Sequence, residues 1–318
     1  MHEVLNISGS PKLHSLILPA KMKNITRDNL LKIKTMSKAD LEMVMGWANE
    51  EQWEPGKFEA KALYNIDPHG YNLLTLNDKP IASLAAVKHS SEYGFLGLYI
   101  VKKEYRGKGY GKILWDVAIK RLKSCDVIEL NGVLEQTKNY TKEAFEIDTI
   151  NTRWSGVPSQ AIIKQTLKHF NLSNLTINKD YSLTELLDYD EKVTGLTRRT
   201  FLINWINMPE SHLLIAKKDK TICGYGLLSK TQNGYKIAPL FANNLEIARI
   251  LFAKLCEYKE NDSSLHIDTN ENNESAITLI EQFQLKKVFN TQRMYYKGKA
   301  RYLQNNSQIF GLTSLEVG

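Results

Sequence analysis

The sequence predicts an α/β fold of two similar units in tandem, each a mixed and mostly antiparallel sheet flanked by helices. Segments in residues 30–155 have the order βααβββαβαβ, and residues 171–297 repeat that order. The stretch between the units contains Gly156 and Pro158, which is typical of a linker. A repeat of this length indicates duplication of a whole domain, because solenoid repeats have periods of about 20–50 residues.

In the first unit, strands are predicted where apolar, β-branched and aromatic residues alternate or cluster, and helices where apolar residues recur at helical spacing. Ser37 and Asp40 predict a capped start for the first helix, and Pro55 and Gly56 separate it from the second. Residues 77–78 predict a turn between two strands. The predicted strands are 31–35, 71–76, 81–88, 93–101, 126–130 and 145–154, and the predicted helices are 37–47, 57–64, 109–123 and 135–144.

The second unit follows from the same patterns. Pro209 ends the second helix, since proline disfavours the helical conformation in the residue before it. Residues 218–220 and 232–234 predict turns between strands. The predicted strands are 175–178, 213–217, 221–229, 235–241, 265–268 and 283–296, and the predicted helices are 183–193, 197–206, 245–258 and 274–282.

Three segments lie outside the two units. Residues 1–29 are expected to form a polar N-terminal arm, and residues 156–170 are expected to form the linker. Residues 298–318 predict a C-terminal tail. Because residues 309–312 of this tail are apolar, we expect it to dock on the body of the protein.

Composition limits the possible functions. The chain of 318 residues has 42 Lys and Arg against 35 Asp and Glu, so its net charge of +7 favours anionic ligands. The lysines are scattered and form no basic stripe, so we expect no nucleic-acid partner. No apolar run approaches the ~18 residues of a membrane span, so no membrane contact is expected.

Cysteine and histidine usage adds two further expectations. The three cysteines are widely spaced and form no Cys-x-x-Cys pair, which predicts neither a zinc site nor a redox motif. The seven histidines form no pair with metal-ligand spacing, so no metal is expected. A reducing, cytoplasmic location is the default for such a chain.

The most informative stretch is a strand, a glycine-rich turn and an amphipathic helix in immediate succession. The strand is residues 93–101, and the turn runs from Arg106 to Gly111. A helix that starts after glycines has free backbone N–H groups and the positive end of its dipole available for phosphate oxygens. Lys108 and Lys112 add positive charge. The spacing Arg-x-x-Gly-x-Gly differs from the dinucleotide fingerprint and from a Walker loop.

This stretch resembles the pyrophosphate-binding element of the GNAT superfamily of N-acetyltransferases. The resemblance implies that acetyl-CoA is the cosubstrate. It also implies that the residues at the matching positions of this chain bind it. It further implies that the main chain of the preceding strand pairs with the thioester carbonyl and the pantetheine amides. The implied cofactor-binding residues are Tyr99, Ile100, Val101, Arg106, Gly107, Lys108, Gly109, Tyr110, Gly111 and Lys112.

A second stretch, residues 135–145, resembles the GNAT signature of a helix ending Tyr-x-x-x-Gly-Phe. Tyr140 holds the tyrosine position, and the resemblance implies that it protonates the departing thiolate as general acid. Ala144 replaces the usual glycine, which is expected to affect where the helix ends. The general base stays open, with an ordered water as one alternative. The side-chain candidates are Glu50, Glu51, Glu54, His69, His89 and Glu92.

The chain from about residue 30 to its end resembles a group of two-unit GNAT proteins with a degenerate second domain. In the second unit, residues 237–244 have neither glycine nor arginine, and Thr278 stands at the tyrosine position. We therefore expect one coenzyme site per chain. The acceptor is expected in a cleft between the units, with Asp188 and Asp190 as candidate amine ligands and tryptophans as candidate lining. The tryptophans are Trp47, Trp53 and Trp154.

The expected function is transfer of an acetyl group from acetyl-CoA to a primary amine of a small molecule or peptide, by direct attack in a ternary complex. One alternative is a non-catalytic protein that senses CoA or acyl-CoA. Another is a nucleic-acid-associated protein that uses the basic surface. The sequence is compatible with a monomer or a homodimer.

Overall fold

The structure is a computed structural model, and it describes residues 30–168, 174–296 and 306–318. The first half of the chain contains β1 (Leu31–Thr35), α1 (Lys38–Glu50), α2 (Glu59–Tyr64), β2 (Tyr71–Leu76), β3 (Lys79–Lys88), β4 (Tyr93–Val101), α3 (Tyr110–Leu122), β5 (Val127–Val133), α4 (Thr137–Lys142) and β6 (Phe145–Gly156).

The second half contains α5 (Gln160–Lys168), β7 (Leu175–Asn178), α6 (Leu183–Thr194), α7 (Arg199–Ile206), β8 (His212–Lys218), β9 (Thr221–Lys230), β10 (Gly234–Ala242), α8 (Leu245–Cys256), β11 (Ser264–Asn270), α9 (Glu274–Gln282), β12 (Lys286–Tyr296) and β13 (Ile309–Gly311).

The described strands form one sheet that runs through both halves. Its order is β1-β2-β3-β4-β5-β12-β6-β11-β10-β9-β8-β7, and β13 pairs with β10. The pairs β4–β5 and β10–β11 are parallel, and the other described pairs are antiparallel. Helices cover both faces, so the predicted fold class, a mixed and mostly antiparallel sheet flanked by helices, is confirmed.

The two halves exchange their last long strands. β12 lies between β5 and β6, with Thr291 opposite Val133, and β6 pairs with β11, with Arg153 opposite Asp268. Each half therefore completes the sheet of the other, and the hydrogen-bond ladder is continuous across the middle of the molecule. The sequence pattern identified these strands but not their neighbours.

The segment expected to be a linker contains regular structure. Gly156 is the last residue of β6 and pairs with Leu265. α5 follows, and its buried Ile163 packs in the core beneath α8 and α9. The expected N-terminal arm, residues 1–29, lies outside the described residues, as do residues 298–305 of the expected tail. The proposed domain bounds stay predictions.

The sheet has a different core on each face of the first half. On one face, α3 packs against β2, β3 and β4, and its Leu114 and Ala118 are buried in that core. On the other face, α1 and α2 form a core that also contains Trp205 of α7, so this core joins the two halves. Within the described ranges, none of the helices has the length and apolarity that a bilayer crossing requires.

The C-terminal segment (residues 306–318) reaches both halves. β13 pairs with β10 beyond the point where β10 and β11 separate, and the Leu312 N–H donates to the Asp268 carbonyl at 2.7 Å. Further on, Val317 is fully buried in the core of α1 and α2, and the His89 ring donates from Nε2 to the Val317 carbonyl at 2.6 Å. The C-terminal segment thus crosses from the second half onto the first.

Candidate functional site

A cleft opens where β4 leaves β5. Their parallel pairing ends at Leu96 opposite Leu130, whereas β4 stays paired with β3 as far as Val101. Between these points β4 has a bulge at Leu98, whose φ of +47° is rare for a non-glycine residue. The buried Ser83 hydroxyl donates to the Leu98 carbonyl at 2.7 Å and stabilises the bulge. The β4 edge beyond Leu96 is therefore available for pairing with a ligand.

This β4–β5 cleft has a volume of about 570 Å³. It brings together nearly all the residues that the sequence singled out, from both motifs and from the strand before the loop. Those that line it are Tyr99, Ile100, Val101, Arg106, Gly107, Gly109, Tyr110, Gly111, Lys112 and Tyr140. Lys108 does not line the cleft, because its Nζ donates to the Glu104 carbonyl at 2.8 Å and lies over the Tyr105 ring.

The glycine-rich loop has the backbone geometry of an anion site. Gly107 and Gly109 have φ of +73° and +83°, a left-handed conformation that L side chains rarely adopt. Gly109 is the N-cap of α3, and no side chain caps this helix. The Lys112 N–H donates to the Gly109 carbonyl at 3.1 Å, and no side chain covers the first two N–H groups of α3. The positive end of the helix dipole lies at the same place.

Gly111 is needed for a different reason. A Cβ built on it would lie 2.4 Å from the Tyr99 hydroxyl oxygen, so Tyr99 packs directly against the start of α3. Burial raises the pKa of Tyr99, which keeps this hydroxyl neutral. The contact fixes the loop relative to the free edge of β4.

The cationic side chains at the loop already have protein partners. Arg106 donates from Nε to the Val101 carbonyl at 2.7 Å and from Nη2 to Glu51 at 2.6 Å. Lys112 Nζ lies 2.7 Å from Asp116 and 3.2 Å from Glu143. All of these groups are partly exposed, so they remain able to reorient toward an anion. The backbone amides are the fixed part of the site.

Tyr140 enters the cleft from α4. Its ring centroid lies 5.5 Å from that of Trp115, and a Cβ built on Gly132 would come within 2.4 Å of the ring. Burial raises the pKa of Tyr140 to about 12, so the phenol is a permanent hydrogen-bond donor near neutral pH.

The predicted helix 135–144 is shorter than expected. A 3₁₀ turn covers Leu134–Gln136, α4 ends at Lys142, and Ala144 has φ of +63°. A left-handed alanine costs about 1–2 kcal/mol, which is why glycine is usual there. Alanine in place of glycine at position 144 thus keeps the turn but strains its backbone.

Comparisons with known proteins agree with this geometry. The model of the acetyltransferase (GNAT) family matches residues 38–142, and that of an acetyltransferase (GNAT) domain matches residues 186–311. Together they cover most of the chain, and each corresponds to one half of the sheet. The chain belongs to the GNAT superfamily. It is a tandem GNAT protein of an acyltransferase family.

Individual relatives are distant but match most of the chain. A holothin acyltransferase from Pseudoalteromonas sp. (strain SANK 73390) is 28% identical over 288 residues, which is 90% of this chain and 94% of the relative. An uncharacterized N-acetyltransferase, YitH, from Bacillus subtilis (strain 168) is 22% identical over 70% of this chain and 76% of its own length.

Solved structures share the fold. A putative acetyltransferase from Pyrococcus horikoshii superposes with a TM-score of 0.72 at 20% identity, over 91% of this chain and 96% of the other. A tandem GNAT protein from the clavulanic acid biosynthesis pathway superposes with a TM-score of 0.59 at 12% identity, over 85% of this chain and 100% of the other.

The second GNAT half differs from the first at the position of the cleft. β13 lies beside β10 and contacts β11, so the C-terminal segment fills the position that the cleft has between β4 and β5. The Asn244 side chain accepts from the Ile247 N–H at 3.0 Å and caps α8. The start of α8 is thus capped by the protein's own side chain, whereas the start of α3 is not.

Several candidates for acceptor binding lie elsewhere. Asp190 is buried and accepts a forked pair of hydrogen bonds from Arg198 at 2.8 and 2.9 Å, so its role is structural. Asp188 is on the surface and pairs with Arg199. Of the three tryptophans, Trp53 lines the cleft, whereas Trp47 and Trp154 pack in the cores.

The candidate general bases lie at different places in the structure. Glu51 lines the cleft, but its carboxylate is engaged by Arg106. His89 lies under the C-terminal segment, and burial lowers its pKa to about 4. The others lie outside the cleft lining, and Glu50, His69 and Glu92 are exposed.

Sequence reasoning missed a buried charge cluster behind the cleft. It consists of two cations and three carboxylates from both halves and the C-terminal segment, and we call it the charge cluster. Its members are Glu59, Arg153, Lys236, Asp268 and Glu316. Each member lies on a different element. Their proximity depends on the exchange of strands between the halves, which the local sequence pattern does not indicate.

Two carboxyl groups of the charge cluster respond differently to burial. Burial raises the pKa of Glu59, whose Oε2 has no hydrogen-bond partner in the described chain. Burial also acts to raise the pKa of Asp268, but the Arg153 guanidinium outweighs it and lowers that pKa below its usual value. Arg153 contacts Asp268 with two hydrogen bonds of 2.7 Å, and this fork is the rigid centre of the cluster.

Proposed function

We propose that this protein transfers an acetyl group from acetyl-CoA to a primary amine of a small molecule. The observation that carries the proposal is that the uncapped start of α3, the free edge of β4 and Tyr140 all open onto one cleft. Acyl transfer needs a bound thioester, a polarised carbonyl and a proton for the leaving sulfur. These three features can supply them.

The coenzyme would bind along the loop and the strand. The amides from Gly107 to Gly111 would bind the pyrophosphate, and Arg106 and Lys112 would add charge at its edge. The main chain of Tyr99, Ile100 and Val101 would hydrogen-bond to the pantetheine amides. The end of β4–β5 pairing at Leu96 supports this, because a ligand can take the place of the missing strand.

The bulge and Tyr140 would carry the chemistry. Main-chain N–H groups next to Leu98, where the register with β3 shifts, would donate to the carbonyl oxygen as negative charge develops there. Tyr140 would donate its hydroxyl hydrogen to the sulfur as the C–S bond breaks. Its raised pKa, about 12, ensures that this hydrogen is present at working pH.

The acceptor is proposed to be an amine on an apolar or aromatic body. The cleft is lined by Trp53, Phe289 and Leu315, which give it apolar walls. The similarity to a protein named as a holothin acyltransferase supports acyl transfer by this architecture. We also propose a cytoplasmic location, which the three free, buried cysteines support.

The test is thiol release from acetyl-CoA in the presence of a panel of amines that includes tryptamine, tyramine, spermidine and an N-terminally free peptide. We expect at least one aromatic amine to accelerate thiol release well above the rate without amine. Coenzyme binding without thiol release for any amine would contradict the proposal and favour a CoA sensor. Absence of coenzyme binding would contradict both.

A further inference from the structure

The C-terminal segment forms part of the cleft wall. Leu315 and Glu316 both line the β4–β5 cleft, and Asn131 of β5 donates to the Leu315 carbonyl at 3.4 Å. The next residue, Val317, packs in the core of α1 and α2, on the face of the sheet opposite α3. The segment therefore approaches the cleft from the side away from the glycine-rich loop, where an acceptor would enter.

Glu316 is the carboxylate-bearing member of the charge cluster that lines the cleft. Of the five cluster residues, Arg153 and Glu316 line the cleft, whereas Glu59, Lys236 and Asp268 do not. The Glu316 side chain is 2% exposed, and its Oε2 accepts from the Ser314 hydroxyl at 2.9 Å and the Leu315 N–H at 3.0 Å. These two bonds fix its orientation.

The cations of the cluster leave Glu316 without close pairing. Arg153 and Lys236 each lie 3.9 Å from its carboxylate, beyond hydrogen-bond distance, because Arg153 is committed to Asp268. The cluster thus holds three carboxylates against two cations. A cation arriving from the cleft would meet a carboxyl group whose orientation the Ser314 and Leu315 hydrogen bonds already fix.

A second, independent observation points to a ligand in the same cleft. Thr291 of β12 lines the cleft and is 4% exposed, yet its Oγ1 has no hydrogen-bond partner among the described residues. A buried hydroxyl without a partner costs about 1–3 kcal/mol, and that cost is recovered when a ligand supplies the missing hydrogen bond. A polar group of an acceptor would satisfy it.

We propose that Glu316 binds the ammonium group of the acceptor and takes its proton before attack, so that the second half of the chain supplies the base of the first. The inference rests on the function proposed above. One N–H bond of the ammonium breaks and an O–H bond forms on Glu316. The nitrogen lone pair then forms the C–N bond, and the C–S electron pair leaves on sulfur, which takes the proton of Tyr140.

The remaining proton transfers take place as the amide product forms. The amide nitrogen loses its second proton, which restores the Tyr140 phenol through solvent, and Glu316 releases the first proton to solvent. The acceptor class is a primary amine that arrives as a cation.

The experiment compares two ligands of nearly equal shape, S-(2-aminoethyl)-CoA and S-propyl-CoA, by calorimetry. The first places an ammonium group beyond the sulfur, and the second a methyl group. We expect the wild-type chain to bind the aminoethyl compound about tenfold more tightly. In Glu316→Gln this preference should disappear, while the affinity for S-propyl-CoA stays within twofold.

Glu51→Gln is the matched comparison, because Glu51 and Glu316 are the two carboxylates in the described lining of the cleft. We expect this variant to keep the preference. Should Glu316→Gln fail to fold, Glu316→Asp retracts the charge by one methylene group and must reduce the preference.

Equal binding of the two ligands by the wild type would overturn the inference, and so would a preference that survives in Glu316→Gln or Glu316→Asp or is lost only in Glu51→Gln. Binding of neither ligand would instead contradict the proposed function.

Discussion

The backbone of Glu316 lies directly against Gly97 of β4. A Cβ built on Gly97 would stand 1.7 Å from the Glu316 carbonyl oxygen, far inside van der Waals contact. The approach is between two backbones, so no side-chain rotation could relieve it. The absence of a side chain at position 97 is what admits the C-terminal segment to the wall of the cleft.

Gly97→Ala should therefore displace the C-terminal segment. We expect a loss of about 1–3 kcal/mol in the free energy of unfolding, measured by urea denaturation. Gly46→Ala is the control, because Gly46 lies in α1 with nothing within 4 Å of its built Cβ. Alanine there should be neutral or stabilising. Wild-type stability in Gly97→Ala would contradict the described contact.

Tyr140→Phe tests the proposed general acid. We expect kcat to fall by about 10²–10⁴-fold while the affinity for CoA barely changes, since the ring that packs on Trp115 is kept. The measurement is the rate of thiol release at saturating substrates beside a calorimetric titration. Tyr296→Phe is the control, because Tyr296 packs on Phe145 but does not line the cleft. Turnover near that of the wild type would remove Tyr140 from the mechanism.

Arg106→Ala tests the contribution of the loop's side chains. We expect CoA to bind about tenfold more weakly, because a charge-assisted contact to phosphate is lost. Lys108→Ala should bind CoA nearly as the wild type does, since Lys108 points to Glu104 and does not line the cleft. Unchanged affinity in Arg106→Ala, or equal losses in both variants, would count against the proposed arrangement.

The anchor of the C-terminal segment at His89 should make stability depend on pH. Burial lowers the pKa of His89 to about 4, whereas an unfolded histidine has a pKa near 6.5. Below pH 6.5 the unfolded chain binds a proton that the folded chain resists. The stabilisation is thus full above about pH 6.5 and falls by roughly 3 kcal/mol as the pH drops toward 4.

His89→Gln keeps a donor for the Val317 carbonyl but cannot take up the proton. Its free energy of unfolding should change less than that of the wild type between pH 6.5 and 4, as measured by urea denaturation across that range. His69→Gln, at an exposed histidine, should follow the wild type. Identical pH profiles for wild type and His89→Gln would show that this histidine is not the titrating group.

The sequence predicted what is encoded locally. The left-handed glycines of the loop, the apolar strand before it and the periodicity of α3 lie within one stretch of about 30 residues, so residue types alone indicated both the turn and the exposed amides. Tyr140 was instead singled out by the resemblance of residues 135–145 to a family signature. Ala144 shows the limit of that approach. The structure has a left-handed turn at this position, although alanine as a residue type does not favour one.

Contacts between distant residues could not be predicted. Arg153 meets Asp268 only because β6 lies beside β11, and Glu316 reaches Gly97 only because the C-terminal segment crosses both halves. The bulge at Leu98 likewise depends on Ser83 of the neighbouring strand. Nothing in the local pattern around any of these residues indicates its partner, which is why the wall of the cleft formed by the C-terminal segment could not be predicted.

The most direct test of the account is a crystal structure of the protein with bound CoA. We expect one CoA per chain, with its pyrophosphate within hydrogen-bond distance of the amides from Gly107 to Gly111 and its pantetheine along the free edge of β4. A pyrophosphate bound elsewhere, or a second CoA between β10 and β11, would contradict it.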